Sequence, residues 1–146
     1  MTLRSELGRR GPAVALMAAG SLVIVVGSLL PWVRTGDADR HSYDVFALLD
    51  RLGYSESELV GRSVQCWPLV PLLVIVAAVL AWWGWVAIGA ATGVVGAIYA
   101  GGVAIAVRRA DTVHLEIRHG ATITLIGAAA LLAGSVGALA LAARTR

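Results

Sequence analysis

Charged residues are missing from three long parts of this 146-residue chain: 11–33, 66–107 and 120–143 contain no Asp, Glu, Lys, Arg or His. Proton relays and ion pathways rely on such groups inside a membrane despite a cost of a few kcal/mol. Coupled ion transport by this chain alone is therefore disfavoured. Cysteine is reduced to Cys66, which excludes an intramolecular disulfide and a cysteine metal site and leaves it as a small residue at a helix entrance. Lysine and asparagine are absent and arginine supplies all twelve basic side chains, a mark of GC-rich bacterial codon usage. The net charge is +3, but the arginines form no basic helix face interleaved with aromatics, so nucleic acid is not an expected partner. The glycines lie in apolar stretches and not in a strand-to-helix turn, so no phosphate cradle is expected.

What is present is apolar length. Hydrophobic residues make up 58% of the chain and charged residues 14%, a balance suited to lipid as solvent. A hydrocarbon core of about 30 Å needs roughly 20 helical residues, so the middle stretch suffices for two passes. The expected fold class is an all-α membrane protein, a single domain over 1–146. Four transmembrane helices are predicted over 12–33, 67–83, 86–107 and 120–143, with outer loops 34–66 and 108–119. Arg9 and Arg10 precede the first apolar run as in a signal peptide, but the run reaches Val33, beyond the usual ~7 to 15 residues, and no A-x-A-like site follows Leu30. The first helix is expected to remain in the protein.

Tryptophan marks the expected surfaces. Trp32 and Trp67 bracket the first loop, and Trp82, Trp83 and Trp85 surround Gly84 in the middle stretch. Indole prefers the headgroup level, so these five are expected to be interface anchors, with a turn at Gly84. The tails carry Arg4, Arg9, Arg10, Arg144 and Arg146 in few residues, whereas the long loop dilutes its arginines with acids. That density favours both termini in the cytoplasm of a bacterial cell, with the chain a multi-pass protein of its plasma membrane.

The loops are expected to form a small extracytoplasmic cap, a short helix with short strands. After the turn-like Arg34-Thr35-Gly36-Asp37, the residues Val45, Leu48, Leu49 and Leu52 form one face of a short helix. Ser42 or Asp44 would cap its start and Gly53 would stop it. Ser55 and Glu58 have capping-box spacing. Val113, Leu115 and Ile117 alternate with His114, Glu116 and Arg118, which suits a strand pairing with residues between Trp32 and Tyr43.

Small residues crowd the last two helices. Gly89, Gly93, Ala97 and Gly101 form one stripe, and Ala130, Gly134 and Ala138 form another. In lipid such stripes let backbones approach closely, either within the bundle or against a homo-oligomer or another membrane protein. Ser21, Ser28, Thr92, Tyr99, Thr122, Thr124 and Ser135 are expected to bond carbonyls or neighbouring helices. His41, Asp44, Asp50, His114, Glu116 and His119 share the outer side, but no spacing forces three of them together, so no catalytic, cofactor or metal site is expected.

Leu29-Leu30-Pro31-Trp32-Val33-Arg34, then Ser42-Tyr43-Asp44-Val45, and Gly120-Ala121-x-x-Thr124-Leu125-x-Gly127-Ala128 at the last helix resemble the small Trp-containing four-helix membrane proteins of actinobacteria. That resemblance implies a four-helix topology with two outer loops and no assigned chemistry. The outline is also similar to claudins, whose paired first-loop cysteines this chain lacks. The function expected is that of a non-enzymatic accessory or scaffold subunit in the bilayer. The alternative is a carrier or exporter component for an apolar or lipid-like molecule.

Overall fold

The computed structural model describes residues 3–51, 65–109 and 116–144. In chain order these form α1 (Leu3–Leu29), β1 (Pro31–Thr35), β2 (Ala38–His41), α2 (Ser42–Arg51), α3 (Leu69–Trp82), α4 (Val86–Arg109), β3 (Glu116–Ile117) and α5 (His119–Ala143). The architecture is mostly helical with one small sheet. Gly11–Leu29 of α1, α4 and α5 are long and apolar enough to cross a membrane, and α3 is a shorter apolar helix. At about 1.5 Å per residue, its 14 residues span about 21 Å.

The closest helix pair is α1 with α5, running antiparallel. Ala13, Gly20 and Gly27 on α1 recur every seven residues, as do Gly120, Gly127 and Gly134 on α5. A Cβ on Gly127 would lie 2.8 Å from the Ile24 backbone nitrogen and 2.9 Å from the Gly20 carbonyl oxygen. One on Gly134 would lie 2.8 Å from the Met17 nitrogen. Backbone thus meets backbone, and the seven-residue period keeps the seam facing its partner along both helices. The other pairs close the bundle: Gly93 and Gly101 of α4 face Ser135 and Ala128 of α5, while Gly89 and Gly96 face Ala81 and Val74 of α3. Ser21 Oγ of α1 donates to the Val74 carbonyl of α3 at 2.9 Å.

The first helix departs from its expected span of 12–33. It starts at Leu3 and ends at Leu29, because Pro31 has no N–H to donate and disfavours helical backbone at Leu30. Trp32 and Val33 therefore lie in β1. The sheet has strand order β2-β1-β3, antiparallel throughout, with Thr35 opposite Ala38 and Val33 opposite Ile117. Gly36 takes φ +61° in the two-residue loop between β1 and β2, as the first central position of a type II′ hairpin requires. The expected second span, 67–83, is α3 beginning at Leu69, since Trp67 and Pro68 occupy the turn before it. Its C-terminus is a Schellman stop. Gly84 has φ +93°, its N–H donates to Ala81, and the Trp85 N–H donates to Leu80.

The seam gives a direct test. Gly127→Leu should drive side-chain atoms into the α1 backbone and destabilise the fold at or above the ~1–3 kcal/mol typical of overpacking. Gly102→Ala, where a Cβ meets nothing within 4 Å, should leave the melting temperature in detergent unchanged. Equal melting of the two variants would refute the close α1–α5 approach.

Candidate functional site

The densest side-chain constellation sits where α3 stops short. Trp32, placed by the break after α1, and Trp67, placed by the turn before α3, are both fully buried. Their rings meet edge to face at 5.1 Å between centroids, and Phe46 of α2 lies 5.2 Å from Trp67 and 6.3 Å from Trp32. Tyr99 of α4 stacks on Trp67 at 6.4 Å. Trp32 reaches inward because β1 carries an irregularity between Pro31 and Val33, which turns an extra residue out of the ladder and re-aims its side chain.

Both indole N–H groups are satisfied. Trp32 Nε1 donates to the Gly27 carbonyl at 2.8 Å. Trp67 Nε1 donates to Ser42 Oγ at 3.0 Å, and that hydroxyl donates to the Ser28 carbonyl at 2.6 Å. The last turn of α1, the first residue of α2 and the entrance of α3 are thereby tied by one relay. Ser42 is consumed in this relay and does not cap α2. Asp44 performs that work, accepting the His41 N–H at 3.4 Å.

The rim of the sheet is polar and exposed. Arg118 lies 3.6 Å from both Asp39 and Glu116, and Arg34 lies 3.9 Å from Asp37. Exposed pairs of this kind contribute about 0–1 kcal/mol each, so they orient the rim and do not hold it. The backbone N–H of Arg118 donates to the Trp32 carbonyl at 2.9 Å, tying α5 to the cluster. No three His, Cys, Asp or Glu side chains converge on a metal-sized point among the described residues.

Below the aromatic cluster, between α3 and α4, lies a groove of about 430 Å³ lined by Leu69, Leu72, Leu73, Val76, Val95 and Tyr99, with Cys66 at its edge. Its walls are almost wholly apolar, and it is open to the surface where Leu69, Leu72 and Val95 are exposed. The volume lies in the ~300–1,000 Å³ range of small-molecule sites.

The residues singled out in the sequence divide between these places. Trp82 and Trp83 are 75% exposed and Trp85 61%. Trp32 and Trp67 correct the expectation for them: they face each other inside the protein, because ring–ring contact and two internal acceptors replace what headgroups would offer. Gly89, Gly93, Ala97 and Gly101 are buried within this chain, but not as one interface, since Gly89 faces α3 while Gly93 and Gly101 face α5. Gly134 and Ala138 are buried and Ala130 is half-buried. Asp44 is exposed and Val45 packs on the core, Leu48 and Leu49 lie on α2, and Leu52, Gly53, Ser55, Glu58, Val113, His114 and Leu115 fall outside the described residues. The relay through Ser42 and the glycine heptads escaped the sequence reading. A Trp beside a Pro at both ends of one loop, Pro31-Trp32 and Trp67-Pro68, was the available signal for the first.

Removing the relay hydroxyl should leave the buried Trp67 donor unpaired. Ser42→Ala is expected to cost about 1–3 kcal/mol in a denaturation experiment. Combined with Trp67→Phe it should cost less than the sum of the two single changes, since the second removes the orphaned donor. Strict additivity would show that the relay does not couple α2 to α3.

No family model, curated protein or solved structure matches this chain.

Proposed function

We propose that this chain is a non-enzymatic accessory or scaffold subunit of the bacterial plasma membrane, with four spans, both termini cytoplasmic and the sheet and α2 forming an extracytoplasmic cap. The observation that carries the reading is the clamped cap. A buried ring cluster and a hydrogen-bonded relay hold a small three-stranded sheet on the bundle, and the sheet presents Asp37, Asp39 and Glu116 outward around a half-buried Arg118. A rim of mixed charge suits recognition of another membrane protein's outer face, where charge complementarity sets specificity more than affinity. For α3 to be the fourth span, the aromatic cluster must complete its outer end, and the stacking of Trp67 on Tyr99 supports that placement. The small-residue stripes are occupied by packing within the chain, so the partner surface is assigned to the cap.

A second reading, a carrier or exporter component for an apolar or lipid-like molecule, is favoured by the groove between α3 and α4.

Recovery of the tagged protein in mild detergent should yield a membrane partner at comparable stoichiometry. Asp37→Arg with Glu116→Arg should lose that partner while melting as the wild type does. Recovery of the chain alone with bound lipid would put the carrier reading first. For topology, Cys66 is exposed and should react with an impermeant maleimide on intact cells. Reaction only after lysis would reverse the orientation or show the thiol to be buried at the groove it lines.

A further inference from the structure

We propose that the groove between α3 and α4 holds an acyl chain of one anionic phospholipid, whose headgroup is bound by Arg108 and Arg109. This rests on the bilayer placement proposed above but not on the partner or on carrier activity. The groove is apolar and open to the side on which Leu69 and Leu72 are 59% exposed and Val95 61%. In a bilayer that side is hydrocarbon, so the occupant must be apolar where it meets these walls.

The α4 surface then leads from the groove to the charge. Val95, Tyr99, Gly102, Ala106 and Arg109 follow one another at steps of four, three, four and three residues, and so share one helix face. Val95 and Tyr99 line the groove. Gly102 and Ala106 are small and exposed, and a Cβ on Gly102 would meet nothing within 4 Å, so the track above the groove is open. Ten residues separate Tyr99 from Arg109, a rise of about 15 Å. Arg108 and Arg109 are exposed in the last turn of α4, with no acidic partner among the ion pairs of the described residues. An apolar slot whose open helix face leads to the Arg109 guanidinium about 15 Å higher, with the exposed Arg108 next to it in the chain, matches a lipid tail with a phosphate at its end.

The test is native mass spectrometry of the full chain in mild detergent, titrated with phosphatidylglycerol or phosphatidylcholine of the same acyl chains. One phosphatidylglycerol per chain should be retained, roughly tenfold or more tighter than phosphatidylcholine, as two interfacial arginines imply. Arg108→Gln with Arg109→Gln should erase the preference. Gly102→Trp, which has room on the surface, should weaken retention of both lipids without lowering the melting temperature. Equal retention of the two lipids by the wild type, absence of a saturable first lipid, or a polypeptide crosslinked through a photoreactive maleimide on Cys66 would overturn the inference. Membrane association is read separately by carbonate extraction. Resistance together with absent lipid selectivity removes only the lipid site, whereas extraction removes the bilayer placement and this inference with it.

Discussion

Everything in this bundle hangs on how closely α1 and α5 approach. Lipid tails are as apolar as leucine, so helices in a bilayer gain little by hiding apolar surface from them. Association must come from contact made atom against atom. Gly20, Gly27, Gly127 and Gly134 supply it by removing the Cβ that would otherwise hold the two backbones apart. Dispersion contacts are individually small, and only a near approach along a whole seam accumulates enough of them. The seven-residue period achieves that along about two heptads on each helix. Against the α1–α5 pair, α4 packs through Gly93 and Gly101, and α3 packs through Gly89, Gly96 and the Ser21 hydrogen bond.

The weakness of such a plan is α3, too short to match its neighbours. Its N-terminal end would leave a void flanked by the ends of α1 and α4, and a void forfeits contacts outright. Trp32, Trp67, Phe46 and Tyr99 fill it. Large rings suit this place because they bring much area with few rotatable bonds, and because the indole N–H can be satisfied by nearby carbonyl and hydroxyl oxygens. The consequence is mechanical. Residues of β1 and α2 that would otherwise move independently of the bundle become continuous with its core.

The long apolar elements were legible because the absence of charge over twenty or more residues has few physical meanings. The helices expected over 86–107 and 120–143 compare with α4 at Val86–Arg109 and α5 at His119–Ala143. The turn at Gly84, bracketed by tryptophans, and the turn-like cluster around Gly36 were legible too, and both glycines take the positive φ that favours glycine. The end of α1 was written in Pro31 but outweighed by the apolar run continuing to Val33, which hydropathy alone reads as one helix. Trp32 and Trp67 were misjudged because composition reports that an indole wants an apolar body and a polar partner, and both a headgroup layer and a ring cluster satisfy that description. Only the tertiary position of Ser42 and the Gly27 carbonyl separates the two. The stripes of α4 were visible as stripes, but a four-residue spacing drifts around the helix. Which glycine meets which neighbour therefore depends on the arrangement of all the helices.

Where the chain can act follows from where its contact capacity is already used. The small residues that make close helix packing possible are inside and occupied, so a partner meeting the long apolar helices finds Leu22, Ile98 and Val136, which are large, exposed and equally content with lipid. Such faces offer little selectivity, since exchanging lipid for protein there changes neither polarity nor packing density by much. Selective recognition requires something lipid cannot imitate. Among the described residues two features qualify: the mixed-charge rim of the sheet, where protein can match charge with charge, and the α4 track, where an apolar slot rises toward guanidinium groups. They differ in what they ask of a ligand. The rim asks for a fixed pattern of charges and so for a folded surface. The track asks for a tail and an anionic head, and any protein occupying it would first have to displace the lipid that satisfies both.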